Sequence, residues 1–233
     1  MPSVDPTILI AGASRGLGLA LAAEFLARGW HVVGTVRGTD RTPLHDLADG
    51  HPGRLETELL DLTDIGQIAT LRERLSGRTL DALFVNAGTA PSDPLLRFGD
   101  ITDEEFARVM ATNLLGPMRV IQALEHLVPA GGLIGAMSSG QGSIANTQNG
   151  RGEIYRSSKA ALNMGLRNFA AREAGKDRAI VLMAPGWIRT DLGGPDAPFT
   201  MEEAIPRVAD VLLSVRASPG LHYLDRFGAT VPW

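Results

Sequence analysis

Short apolar runs alternate along the chain with longer segments in which apolar residues recur every three or four positions. The short runs have the length and β-branched content of buried strands, and the longer segments have the periodicity of amphipathic helices. The predicted strands are 7–11, 30–36, 55–60, 80–85, 131–137, 178–184 and 221–227. The predicted helices are 17–28, 65–75, 102 to about 128, 153–174 and 200–215. This alternation predicts an α/β fold.

A glycine-rich turn separates the first predicted strand from the first helix. Gly12, Gly16 and Gly18 would let the backbone turn tightly, admit a pyrophosphate at the helix N-terminus and allow the helix to lie against the sheet. A plain structural turn could carry the same glycines. The position of the turn within a βαβ unit of about 30 residues nevertheless favours dinucleotide binding.

The end of the second strand indicates which dinucleotide would bind. In dinucleotide-binding folds a carboxylate at this point holds the adenosine ribose, whereas a nearby arginine accommodates a 2′-phosphate. Here the strand ends in Arg37, and Arg15 lies in the glycine turn. Because the guanidinium fork suits phosphate, we predict NADP(H) in preference to NAD(H). The alternative is that Arg37 is a solvated residue at a strand end.

A tyrosine and a lysine stand one helical turn apart in Tyr155-Arg-Ser-Ser-Lys159. Residues at this spacing lie on the same helix face, so the ammonium group can approach the phenol. Bringing a phenol from a pKa near 10 towards neutrality requires roughly 4 kcal/mol of phenolate stabilisation, which a neighbouring cation can help to supply. The pair predicts a tyrosine that acts as general acid or base. The alternative is a half-buried tyrosine beside a solvated lysine.

Small or polar residues follow three further strands, at the edge where open α/β sheets bind ligands. They are Asn86-Ala87-Gly88, Ser138-Ser139 and Pro185-Gly186. A structural turn would have the same composition. Asn113 also interrupts the apolar stripe of the long helix, so its amide is either part of a site or a buried group with structural partners.

Composition excludes several function classes. The 233 residues, 44% of them hydrophobic, suffice for one sizeable core, and we expect a single domain, 1–233. With no cysteine there is no disulfide, thiol nucleophile or thiolate metal site, and the five histidines show no ligand spacing, so we expect no metal. The net charge of −4 is not arranged in a basic stripe, which disfavours nucleic acid. We expect a soluble, cytoplasmic protein without a membrane span.

Taken in order, these motifs resemble those of the short-chain dehydrogenase/reductase family over nearly the whole chain. The matching positions are Gly12-x-x-x-Gly16-x-Gly18, Asp61-Leu62, Asn86-Ala87-Gly88, Asn113, Ser139, Tyr155-x-x-x-Lys159 and Pro185-Gly186-x-x-x-Thr190. The long segment between Ser139 and Tyr155, together with Lys159-Ala-Ala-Leu-Asn163 and Val231-Pro-Trp233, resembles the branch of C-factor and sniffer-type carbonyl reductases.

The resemblance implies a single-domain doubly wound (Rossmann) fold with a mostly parallel seven-stranded sheet between two layers of helices. It implies that Tyr155 donates and accepts the proton, that Lys159 lowers its pKa and holds the nicotinamide ribose, that Ser139 orients the substrate oxygen, and that Asn113 fixes a water in a proton relay. Ser138 is the alternative to Ser139. The cofactor-binding residues would be Gly12, Ser14, Arg15, Gly16, Leu17, Gly18, Arg37, Asp61, Leu62, Asn86, Ala87, Gly88, Tyr155, Lys159, Pro185, Gly186, Ile188 and Thr190.

The resulting functional hypothesis is an NADPH-dependent reductase of an aldehyde or ketone, reversible to alcohol oxidation. Residues 192–215 would form a substrate lid, since the Gly/Pro-rich loop follows the ligand-binding edge of the sheet. The partner would be a small-molecule substrate, and related proteins suggest a homodimer or homotetramer. The alternative hypothesis is an NADP(H)-binding sensor or signalling protein with little or no turnover.

Overall fold

The computed structural model describes residues 5–233. Its seven strands are β1 (Thr7–Ala11), β2 (His31–Val36), β3 (Leu55–Leu59), β4 (Ala82–Val85), β5 (Leu133–Met137), β6 (Ala179–Ala184) and β7 (Gly220–Asp225). Its α-helices are α1 (Gly16–Ala27), α2 (Pro43–Asp49), α3 (Ile65–Arg74), α4 (Asp103–Met110), α5 (Gly116–Leu124), α6 (Glu153–Arg172) and α7 (Met201–Val215).

The strands form one sheet in the order β3-β2-β1-β4-β5-β6-β7, and every pairing is parallel. The prediction of a doubly wound seven-stranded fold is therefore confirmed, with a sheet that is wholly rather than mostly parallel. The strand order reverses between β1 and β4. In such sheets the crevice at the carboxyl ends of the strands beside this reversal is the ordinary place for a ligand.

Successive side chains of each strand face opposite helical layers. In β1, Leu9 packs into the core formed with α3, α5 and α6, whereas Ile8 and Ile10 pack into the core formed with α1, α2 and α7. Strands buried on both faces read as continuous apolar runs rather than alternating ones. This is why the sequence marks β4 and β6 so clearly.

The long helix predicted from 102 to about 128 is wrong as a single element. The structure divides it into α4, a π-helical turn (Ala111–Leu115), α5 and a short 3₁₀ turn (Glu125–Leu127). Pro117 has no N–H, so the donor that an α-helix would present to the carbonyl of Asn113 is missing. Gly116 adjoins Leu62, and an added Cβ would lie 2.8 Å from the Leu62 carbonyl oxygen. The irregular turn thus follows from a proline and a close packing contact.

Candidate active site

The glycine turn packs directly against the end of β4. An added Cβ on Gly12 would lie 2.6 Å from the Cβ of Ala87, and one on Gly18 would overlap the Gly12 carbonyl and lie 2.6 Å from Asn86 Nδ2. Asn86 Nδ2 donates to the Gly12 carbonyl at 2.8 Å, and the Gly12 N–H donates to Thr35 Oγ1 at 2.9 Å. These contacts fix the turn at the switch point between β1 and β4.

The opposite side of the turn faces open space. Gly16 has φ +57, and an added Cβ there would meet nothing within 4 Å. Arg15 stands just before α1 in extended conformation and is exposed, and Ser14 and Leu17 flank it in the turn. The guanidinium group of Arg15 pairs with Asp191 at 3.1 Å, which joins the turn to the loop after β6.

Arg37 and Asp61 follow the ends of β2 and β3, where the charge of Arg37 acts on the Asp61 carboxylate. Burial acts to raise the pKa of Asp61, but hydrogen bonds from the hydroxyl and N–H of Thr63 and the charge of Arg37 outweigh it, so this pKa is lowered. Thr63 donates to Asp61 Oδ1 at 2.6 Å through its hydroxyl and at 2.8 Å through its N–H. Arg37 itself is exposed, and Leu62 is buried.

At the end of β5, each of three successive residues forms a hydrogen bond with another element, namely Met137, Ser138 and Ser139. Lys159 Nζ donates to the carbonyl of Met137 at 2.9 Å, and Ser138 Oγ donates to Asn163 Oδ1 at 2.6 Å. The carbonyl of Ser139 accepts from the Tyr223 hydroxyl at 2.6 Å. Ser138 is buried and donates to Asn163, whereas the Ser139 hydroxyl accepts from the N–H of Gln141, interacts with the Tyr155 phenol and is partly exposed. These contacts favour Ser139 over Ser138 as the serine available to a substrate.

Tyr155 and Lys159 lie in the first two turns of α6, with the lysine Nζ 5.8 Å from the centre of the tyrosine ring. Burial raises the pKa of Tyr155, while the Ser139 hydroxyl acts in the opposite direction. Burial lowers the pKa of Lys159 to about 8. The net shift of the Tyr155 pKa is thus upward, because burial outweighs the effect of the Ser139 hydroxyl, and the Lys159 ammonium group donates to the Met137 carbonyl.

Asn113 lies in the π-helical turn and is fully buried. Its Oδ1 accepts from the N–H of Thr89, while Nδ2 donates to the Thr89 carbonyl and to Ser158 Oγ, each at 2.8 Å. Ser158 in turn donates to the Tyr155 carbonyl at 2.8 Å. Both amide hydrogens are therefore used to connect the end of β4 to the first turns of α6. π-Helical turns of this kind recur at functional sites.

Gly88 completes the contact between these elements. An added Cβ on Gly88 would lie 3.1 Å from Lys159 Nζ and 3.5 Å from Asn113 Oδ1. Because Gly88 has no side chain, space remains beside Lys159 Nζ at the end of β4. Gly88 is itself exposed.

The loop after β6 begins with Pro185-Gly186 and folds back on itself. Ile188 forms a bridge with Phe199 and is buried, and Thr190 Oγ1 accepts from the Gly193 N–H at 3.0 Å. Gly186 has φ +96, and a Cβ there would overlap the guanidinium group of Arg226, which stacks 3.7 Å over the Phe199 ring. Contacts with Arg226 therefore hold the two ends of this loop, at Gly186 and Phe199, in place.

The structure thus brings the predicted site residues to one edge of the sheet. Sequence reasoning missed several of their partners, namely Thr35, Thr89, Ser158, Asn163, Asp191 and Tyr223. Each lies at least 23 positions from a site residue that it contacts, and Ser158, which is fully buried, carries no signal of its own inside the motif from Tyr155 to Lys159. Within residues 5–233 no group of three or more His, Cys, Asp or Glu side chains could hold a metal ion. No helix in that range combines the length and apolar character needed to cross a bilayer.

Residues 12–208 match the family model described as "Enoyl-(Acyl carrier protein) reductase". The C-signal protein of Myxococcus xanthus is 33% identical over 156 residues, which cover 66% of this chain and 93% of that protein. The chain belongs to the short-chain dehydrogenase/reductase family. It is an oxidoreductase, and the prediction made from the motifs is confirmed.

Two solved structures of this family show how closely the backbone is shared. A putative short-chain dehydrogenase/reductase from Burkholderia multivorans with bound NADP is 57% identical, with a TM-score of 0.97 and coverage of 99% of this chain and 100% of that one. The carbonyl reductase Sniffer of D. melanogaster is 26% identical, with a TM-score of 0.89 and coverage of 99% and 100%.

Proposed function

We propose that this short-chain dehydrogenase/reductase reduces an aldehyde or ketone to an alcohol with NADPH, and that Tyr155 supplies the proton. The observation that carries the proposal is the meeting of Ser139, Tyr155 and Lys159 at the ligand-binding edge of the sheet. In the alternative function, a sensor with little or no turnover, this set of three side chains would have no chemical use. Carbonyl reductases among the similar structures support the same reaction class.

The glycine turn and its neighbours fit a dinucleotide. Gly16 faces open space at the N-terminus of α1, and Gly18 leaves no room for a side chain against Gly12. The buried Oδ1 of Asn86 has no hydrogen-bond partner among residues 5–233. We assign Gly12, Ser14, Arg15, Gly16, Leu17, Gly18, Asn86, Ala87 and Gly88 to the phosphates and adenosine ribose, Asp61 and Leu62 to the adenine, and Tyr155, Lys159, Pro185, Gly186, Ile188 and Thr190 to the nicotinamide half.

Preference for NADP(H) over NAD(H) rests on charge. Arg15 in the glycine turn and Arg37 after β2 supply two guanidinium groups, and no carboxylate stands at the end of β2 to accept ribose hydroxyls. The related protein from Burkholderia multivorans holds NADP. Asp191 competes for Arg15, whereas Arg37 forms no ion pair within residues 5–233 and can hold a 2′-phosphate without first breaking one.

The chain's own residues would handle the proton and the substrate oxygen. A bound nicotinamide supplies the hydride. The Ser139 hydroxyl donates to the substrate carbonyl oxygen, and the Tyr155 phenol protonates that oxygen as negative charge develops on it. Burial raises the pKa of Tyr155, so the phenol carries at pH 7 the proton that the reductive direction requires. Lys159, with a pKa of about 8, is mostly charged at pH 7 and stabilises the phenolate left behind.

Asn113 is proposed to support the proton path through its position in the π-helical turn. Its side chain is occupied by Thr89 and Ser158. The backbone carbonyl, which lacks the ordinary donor at Pro117, is therefore the group that could bind a relay water.

The segment 192–215 divides into two parts with different roles. The loop to Phe199 carries exposed Leu192 next to Asp191, which pairs with Arg15 of the glycine turn, and we propose that this loop is the mobile part of the substrate lid. Helix α7 packs its apolar face into the core with α1 and would be the fixed base on which the loop moves. Leu115 and Met164 are 45% and 57% exposed on the helices that carry Asn113 and Tyr155, which supports pairing of two copies through this face.

The test is a spectrophotometric screen of purified protein with NADPH and NADH against aldehydes, ketones and quinones. We expect NADPH oxidation with at least one carbonyl class and a lower KM for NADPH than for NADH. Absence of turnover throughout the panel, combined with tight NADPH binding, would instead support the sensor alternative. A preference for NADH would refute the assignment of the two arginines to a phosphate.

A further inference from the structure

Tyr223 lies on β7 behind the candidate catalytic serine. It is 2% exposed, and its hydroxyl donates to the Ser139 carbonyl at 2.6 Å. The N–H of Gly142 donates to the same carbonyl at 2.8 Å. Two donors on one carbonyl fix the backbone of Ser139 and with it the place of its Cβ, while the N–H of Gln141 donates to the hydroxyl oxygen at 3.1 Å.

A second set of contacts fixes Tyr223 from the other side. The ring of Trp233 lies 5.3 Å from that of Tyr223, and the guanidinium group of Arg167 lies 4.8 Å over the Trp233 ring. The N–H of Val231 donates to the Tyr223 carbonyl at 2.8 Å, and the N–H of Ala145 donates to the Trp233 carbonyl at 2.9 Å. Residues 231–233 therefore join β7 to the loop that leads from Ser139 to Tyr155.

We propose that Tyr223 is a positioning residue for the reaction, which holds the Ser139 hydroxyl in the orientation that polarises the substrate carbonyl, with Trp233 bracing its ring. This inference rests on the proposed carbonyl reduction. Tyr223 does not touch the reacting atoms; it acts through the backbone of Ser139. A hydrogen-bond donor aimed at developing charge contributes to catalysis only when its geometry is set in advance, and this pair of contacts sets it.

The chemistry of Tyr223 suits a permanent donor. Burial raises the pKa of Tyr223, while interactions with Asn163 and Ser138 act in the opposite direction. The hydroxyl therefore stays protonated over the working pH range, so its bond to Ser139 does not titrate. Both phenols interact with Ser139, Tyr223 through its carbonyl and Tyr155 through its hydroxyl, and charge on Tyr223 would raise the pKa of Tyr155.

The test is a double-mutant cycle in steady-state and single-turnover kinetics. Tyr223→Phe removes one hydroxyl and keeps the ring, so we expect kcat for the carbonyl substrate to fall about tenfold, with the Kd for NADPH unchanged. In the Ser139→Ala background, where the residual rate is measured at high enzyme concentration, the same change should cost less than twofold. The matched control is Ser76→Ala, which removes an exposed hydroxyl in the turn between α3 and β4 and should leave kcat unchanged.

The outcomes separate this inference from the proposed function. If wild-type protein fails to turn over in the carbonyl screen, the proposed function is wrong. If wild type turns over and Tyr223→Phe loses the same factor with and without Ser139, or loses nothing, only the positioning role is wrong. Should Tyr223→Phe not fold, Trp233→Leu takes its place. We expect this change to lower kcat about threefold in the wild-type background and to have no effect in the Ser139→Ala background. A loss that persists without the Ser139 hydroxyl would contradict the positioning role.

Discussion

Replacement of Lys159 by Met should make the protein more stable at pH 7 while it abolishes turnover. Lys159 is 3% exposed, and burial lowers its pKa from the usual 10.5 to about 8. At pH 7 the folded protein therefore carries an ammonium group that would be better solvated in the unfolded chain. Each pKa unit corresponds to about 1.4 kcal/mol, so the buried charge costs about 3 kcal/mol.

Removal of the buried charge would stabilise the folded protein by this amount, but the change also removes the hydrogen bond that Lys159 donates to the Met137 carbonyl at 2.9 Å. Loss of a buried bond of this kind costs about 1–2 kcal/mol. The expected net stabilisation is therefore about 1–2 kcal/mol at pH 7. In a domain of this size that corresponds to a rise in Tm of roughly 2–8 °C. Methionine is close to lysine in length and flexible, so packing should change little.

The pH dependence gives the sharper test. The folded-state pKa lies below the unfolded value, so between pH 8 and 10.5 the unfolded chain binds more protons, and the stability of wild type rises with pH across that window. Below pH 8 the full cost remains. By pH 9.5 roughly 2 kcal/mol of it is relieved, so the advantage of Lys159→Met should have disappeared. Thermal or urea denaturation of both proteins at pH 7 and pH 9.5 measures this. A variant less stable than wild type at pH 7, or a difference that does not change with pH, would refute the reasoning.

Two other substitutions probe the cofactor-binding edge. Gly18→Ala adds a Cβ that overlaps the Gly12 carbonyl, so we expect NADPH to bind at least tenfold more weakly in a fluorescence titration. The control is Gly99→Ala, whose added Cβ meets nothing within 4 Å and which should bind NADPH normally. Equal binding by both variants would contradict the packing argument. Arg37→Ser removes the exposed guanidinium group whose charge acts on Asp61. Because a charge-assisted phosphate contact is worth roughly 1.5–3 kcal/mol, NADPH should bind about tenfold more weakly, while the affinity for NADH should not change. A parallel loss for both cofactors would show that Arg37 does not contact the phosphate.

The parts of the site that could be predicted from sequence are those set by local geometry. The spacing of Tyr155 and Lys159 places both on one face of α6 whatever the surroundings, and the glycines of the first turn are required by backbone angles and close packing. The interruption of an apolar stripe likewise marked Asn113 as a buried amide. In each case a few neighbouring residues determine the structure.

The rest depends on contacts between distant segments. The partners of Asn113 are 24 and 45 residues away, and Tyr223 meets Ser139 across 84 residues. The upward shift of the Tyr155 pKa could not be predicted from sequence, because burial under the assembled fold sets it and the local pairing with lysine does not reveal that burial. The π-helical turn was missed because Pro117 stands within an otherwise regular helical pattern.

The most direct test of the account compares turnover and cofactor binding in Tyr155→Phe and wild type. The change removes one hydroxyl and leaves the ring, so NADPH should bind within about twofold of wild type, while carbonyl reduction should fall by at least a hundredfold, the lower range for loss of a general acid. Reduction at close to the wild-type rate with normal NADPH binding would contradict the claim that this phenol delivers the proton.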